Sequence, residues 1–116
     1  MNFEYWNEEW QARIKLYIVE VLKNESNEMI LGYDRNSRVD FDEWFCSLFD
    51  DNYFNEFIVS YKEKFSNNSN IIKALEKLKE ELLLVDKETK VTYDLLKNQR
   101  WDKIRGSVNV LIKNGF

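Results

Sequence analysis

Apolar residues recur along this chain at spacings of three and four, and the recurrence sets out a series of amphipathic helices. Phe3, Trp6, Trp10, Ile14, Tyr17, Ile18 and Val21 form a first stripe, with Asn2 placed to cap its start. Tyr5, Leu16 and Val19 lie off the stripe and leave an alternative. In it, Ile14 to Leu22 alternates as a strand, and Met29 to Tyr33 returns across the polar Asn24–Asn27 break as a hairpin. The helix accounts for more positions and is preferred. Gly32 to Arg38 reads as a loop.

The stretch from Asp40 to Phe65 carries two stripes. Phe41, Trp44, Phe45, Leu48 and Phe49 make one; Phe54, Phe57, Ile58, Tyr61 and Phe65 make the other. At about 100° per residue the two point in nearly opposite directions if the helix continues unbroken. Asp50-Asp51-Asn52 stands at the change of phase, and these are residue types that cap helices, so two short helices meeting at a corner are expected. Phe41, Phe45, Phe57, Ile58 and Tyr61 are assigned to the core.

Ser66 to Asn70 is a polar linker ending in a cap. Ile71, Leu75, Leu78, Leu82 and Val85 then form a helical stripe, read as the core face of a bundle helix; self-association through it is the alternative. Asp86 to Lys90 reads as a turn, and Val91 to Lys97 is ambiguous, with helix preferred. A last helix runs through Trp101, Ile104, Val108, Leu111 and Ile112. Lys113, Gly115 and Phe116 signal its end: a cation at the negative end of the dipole, a residue able to turn left-handed, and an apolar residue placed to fold back. Gly106 within that helix costs about 1 kcal/mol relative to Ala. The chain has no proline and only three glycines. The fold class expected is all-α, a single domain over residues 1–116 with about five or six helices.

Composition removes several function classes. With no histidine, the commonest general base is missing, as are the Ser-His-Asp and Cys-His arrangements and the usual zinc sites. Three scattered glycines build no phosphate loop. Cys46 is the only cysteine, which excludes an internal disulfide; it is read as a small buried or half-buried residue whose acidic neighbours raise its pKa. No enzyme activity and no cofactor are expected. No apolar run nears the roughly 20 residues of a membrane span, and the acidic start lacks the character of a signal peptide, so a cytoplasmic location is expected.

The net charge of −4 is unevenly spread. Residues 1–61 hold thirteen acids and five bases, and residues 62–116 hold eight acids and twelve bases. From Asp40 to Tyr61 there are six carboxylates and no Lys or Arg, interleaved with aromatic residues. Acids of this kind speed association with a basic partner, and aromatics supply hot spots.

Three resemblances sharpen the picture. Gly32 to Trp44 resembles an EF-hand loop, with Asp34, Asn36, Asp40 and Glu43 at ligand positions. Gly32 stands where the first aspartate belongs, however, and Ser37 where the glycine belongs. The segment Asn70 to Phe116, helix-turn-helix in character, presents Arg100, Lys103 and Arg105 beside Trp101, a possible nucleic-acid contact, although Trp101 also opens an apolar stripe. Asp50-x-x-Tyr53-Phe54 resembles the acidic, tyrosine-bearing helix region of the small helical immunity proteins that neutralise bacterial nuclease toxins. Asn55 stands where that family has proline, and the match spans five residues. This resemblance implies a bacterial toxin inhibitor acting by occlusion. Asp42, Glu43, Asp50, Asp51 and Glu56 would meet toxin lysines and arginines, and Tyr53 and Phe54 would be the anchors.

Overall fold

The computed structural model describes residues 7–22, 39–88 and 99–116. These residues form five α-helices and no strand: α1 Glu8–Val19, α2 Val39–Cys46, α3 Phe54–Lys64, α4 Ser69–Glu88 and α5 Gln99–Lys113. A 3₁₀ turn, Glu20–Leu22, extends α1, and a π-helical turn, Ser47–Asp51, extends α2. The all-α class is thereby established.

Helix α1 begins at Asn7, whose side-chain oxygen accepts a hydrogen bond from the Trp10 amide at 2.8 Å, with Glu8 and Glu9 in the first turn. Both features stabilise the positive end of a helix. The expected cap, Asn2, and the stripe residues Phe3 and Trp6 lie outside the described residues. Trp10, Ile14, Ile18 and Val21 all turn into the core, while Leu16 is 67 % exposed. Ile14 to Leu22 is therefore helical, and the strand alternative fails there; its return partner, Met29–Tyr33, lies outside the described residues.

The phase change between the aromatic stripes is solved differently from expectation. Asp50 and Asp51 cap nothing; they belong to the π turn that continues α2. Asn52 closes that turn, donating to the Ser47 carbonyl from its backbone amide at 3.0 Å and from its side-chain amide at 2.7 Å. Its own carbonyl accepts the Trp10 indole N–H at 2.7 Å. Tyr53 then takes the left-handed conformation (φ 52°, ψ 55°), and its carbonyl accepts the Phe57 amide at 2.8 Å as α3 starts. A wide turn and one left-handed residue reorient the chain so that both stripes meet the same core. A left-handed L-residue costs about 1–2 kcal/mol, so the corner depends on the Trp10 and Asn52 bonds that hold it.

Helices α4 and α5 pack along most of their length. Ile71, Leu75, Leu78, Leu82 and Val85 are all buried, joined by Ile72 and Ala74; opposite them lie Trp101, Ile104, Val108 and Leu111. With its stripe consumed inside the molecule, α4 cannot use it for self-association. Ile112, expected in the α5 stripe, is 37 % exposed. Helix α4 continues through Glu88, past the expected start of the turn at Asp86; Val91 to Lys97 lies outside the described residues. The end of α5 is a Schellman cap: Phe116 N–H donates to the Leu111 carbonyl and Gly115 N–H to the Ile112 carbonyl, with Gly115 at φ 86°. Phe116 folds back into the core as expected, its ring edge-on to Phe57 at 6.0 Å.

Rings join the two halves. Trp10 meets Phe57 at 5.4 Å, Phe49 meets Phe54 at 5.3 Å, and Trp44 meets Trp101 of α5 at 6.5 Å, each edge to face. That geometry suits the ring quadrupoles and is worth about 0.5–1.5 kcal/mol per pair beyond burial. The Trp44 indole N–H also reaches the Tyr17 carbonyl at 3.3 Å.

Candidate functional site

The acidic corner is built by α2, the π turn and the first turn of α3. Asp42, Cys46 and Asp50 recur at every fourth position, so the three stack along one line of the helix. Asp86 of α4 also acts by its charge on the Cys46 thiol. The Cys46 thiol is pushed above its ordinary pKa by desolvation, by the carboxylates of Asp50 and Asp42, by a hydrogen bond to Asp50, and by Asp86. Cys46 is exposed, which corrects its placement as a buried or half-buried residue. Its acidic surroundings keep it a thiol and a poor nucleophile.

Glu43, Asp50, Asp51 and Glu56 are exposed, and Asp42 is half-buried. Among the described residues no cation pairs with Glu43, Asp50, Asp51 or Glu56. The first base on α3, Lys62, is turned to Glu76 of α4 at 3.5 Å. The corner therefore presents negative charge that the described part of the molecule does not neutralise.

Its apolar anchors differ from those expected. Phe54 has no exposed surface; its ring lies against Phe49 in the centre of the core. It cannot serve a partner, and its assignment as an anchor is withdrawn. The physical reason is the left-handed turn at Tyr53, which aims the first residue of α3 inward. Tyr53 itself is half-buried and packed against the core. Val59, one turn beyond Glu56, is 59 % exposed and was not singled out from the sequence, since a lone valine between Ile58 and Ser60 carries no signal. Asp86 was missed because it arrives from a different helix. Of the residues assigned to the core, Phe57, Ile58 and Tyr61 are buried and Phe45 is half-buried, stacked on Phe49 at 4.4 Å. The side chain of Phe41 lies outside the described residues.

At the basic end of α5 the ring expected to stack on a base is not at the surface. Trp101 is 2 % exposed, so it offers no face for a base to stack on. Arg105 donates from Nε to the Val21 carbonyl at 3.0 Å, tying α5 to the end of the α1 extension. Lys103 is exposed, and the side chain of Arg100 lies outside the described residues. The loop with the EF-hand resemblance, residues 32–38, also lies outside them. Glu43, its last ligand position, sits exposed on α2. Among the described residues no three His, Cys, Asp or Glu side chains are grouped to hold a metal ion, and no helix is long and apolar enough to cross a membrane.

Compared with protein-family models, with curated proteins and with solved structures, the chain matches none.

Proposed function

We propose that this chain is a binding protein whose acidic α2–α3 corner occupies a basic protein surface, acting as an immunity protein that neutralises a bacterial nuclease toxin in the cytoplasm. One observation carries the reading: Glu43, Asp50, Asp51 and Glu56 stand exposed and without a cationic partner among the described residues, on a stretch that contains no Lys or Arg. Unneutralised acids on a rigid helical corner accelerate encounter with a basic partner, and the half-buried Tyr53 and exposed Val59 supply apolar surface beside them. Inhibition by occlusion requires no chemistry from the inhibitor, in keeping with a chain that lacks histidine. The choice of a nuclease toxin rests on the resemblance at Asp50, Tyr53 and Phe54, of which Phe54 is now a core residue.

The test is co-purification of this chain from its native host with a basic protein, whose association is then followed by surface plasmon resonance at several salt concentrations. Asp50→Lys with Asp51→Lys is expected to slow association about tenfold or more and to flatten its salt dependence. Val59→Arg is expected to raise the dissociation rate. Association that the double reversal leaves unchanged sinks the proposal.

A further inference from the structure

A groove of about 380 Å³ lies between α4 and α5. Lys73 and Lys77 line it from α4, one turn apart, and Lys103 lines it from α5. Among the described residues none of the three makes an ion pair and no carboxylate lines the groove. Like charges one turn apart on a helix repel each other, so this arrangement gains stability from an anion set between them.

Two features of the groove are unexplained by the fold itself. Gly106 lies mid-helix on its wall, yet a Cβ placed there meets nothing within 4 Å. Packing does not require a glycine, and a helix interior loses stability by having one. What the missing side chain does is keep the groove open. Beside it, Ser107 is 4 % exposed, and its hydroxyl has no hydrogen-bond partner. A buried hydroxyl left unsatisfied is costly, and this one borders the cavity. Val110, 43 % exposed, adds an apolar wall.

We propose that the α4–α5 groove binds a small phosphate monoester: the head lies among Lys73, Lys77 and Lys103, a phosphate oxygen accepts the Ser107 hydroxyl, and a short apolar body lies over Gly106 against Val110. Lysine ammonium groups bind phosphate as point charges, and three of them suit a dianion better than a single carboxylate. The volume falls in the range of small-molecule sites. This site is separate from the acidic corner and stands whether or not the corner binds a toxin.

Hexyl phosphate is the probe, titrated into the isotope-labelled full chain and followed by amide NMR shifts, with inorganic phosphate, hexanoate and hexanol as comparisons. Hexyl phosphate is expected to saturate, with shifts confined to residues 70–77 and 103–114. Each of the other three is expected to bind more weakly. Gly106→Leu fills the groove and is expected to weaken binding at least tenfold without loss of fold, since its Cβ has open space. Lys73→Gln with Lys103→Gln, at exposed positions, is expected to do the same and serves if the leucine variant does not fold. Ser107→Ala is expected to raise the thermal midpoint of the free chain while weakening the ligand several-fold. Shifts scattered over all lysines, hexanol binding as tightly as hexyl phosphate, or undiminished binding to the glutamine pair overturns the proposal; hexanoate binding equally well overturns the dianionic head.

Discussion

The first three helices and the last two reach stability by different routes. The α1–α3 region is joined by rings and by indole bonds to backbone carbonyls: Trp10 to Phe57, Phe49 to Phe54, Trp10 to Asn52, Trp44 to Tyr17. The α4–α5 pair is joined by regular aliphatic stripes, with Trp101 the one ring in the middle of them. The aromatic region contains the π turn and the left-handed Tyr53. Among the described residues the aliphatic pair keeps regular helix up to its terminal cap. Large rings fill space from several backbone directions, so a chain rich in them can bend sharply and still close its core. Leucine and isoleucine stripes fit only where the helical period is kept.

The sharpest way to break this comparison is to remove a ring. Phe54→Ala is expected to cost about 3–5 kcal/mol, because a fully buried phenyl leaves a cavity at the junction of the π turn and α3. Urea denaturation monitored by circular dichroism measures it. A cost below about 1 kcal/mol would show that the ring lies at the surface after all and return Phe54 to the partner-binding face.

The same comparison explains what could be read from the sequence. The stripes of α4 and α5 follow the helical period with apolar residues of one kind, and the Lys113-Gly115-Phe116 ending names its own cap, so this half was legible. In the other half the conflict of phase between Phe49 and Phe54 was visible, but its resolution was not. The residue types Asp50-Asp51-Asn52 suggested a cap, whereas the structure uses Asn52 to close a π turn and places a tyrosine in the left-handed region. That outcome depends on Trp10, forty-two residues away, whose bond to Asn52 no local pattern announces. Phe54 carries a further lesson. It shares a stripe with Phe57 and Tyr61, yet it was left out of the expected core and read as an anchor on a five-residue resemblance; the period was the better guide. The acids of the corner were legible as surface because charge keeps them there. Val59, Asp86 and the groove lysines became visible only once helices distant in sequence were packed together.

Two glycines on the regular side sharpen the contrast with smaller effects of opposite sign. Gly115 has φ 86°, which a side chain opposes, so Gly115→Ala is expected to cost about 1–2 kcal/mol and to loosen Phe116 from the ring of Phe57. Gly106 is ordinary helix with open space above it, so Gly106→Ala is expected to stabilise by about 1 kcal/mol. Thermal unfolding of the two variants beside the parent decides both. If both substitutions destabilise, Gly106 is needed by the fold itself, and the reason given for the open groove fails.

The smallest expected effect lies back in the irregular half, at Cys46. Its thiol pKa is raised by desolvation and by the carboxylates of Asp50, Asp42 and Asp86, so at pH 8 it holds less thiolate than a cysteine in the unfolded chain. Alkylation by iodoacetamide is therefore expected to be slower in the native protein than in urea, despite the exposure of the residue. Asp50→Asn removes both a repelling charge and the carboxylate that accepts the thiol's hydrogen bond, and is expected to speed the native reaction several-fold. Asp86→Asn removes a weaker influence and is expected to give a smaller gain in the same direction. Lys103→Gln, in the basic half, is expected to change the rate little, because Lys103 is not among the charges that act on the thiol. The order Asp50 above Asp86 above Lys103 thus measures the local reach of the acidic field, and a slowing by Lys103→Gln as large as the gain from Asp50→Asn would show that the two halves are not electrically distinct.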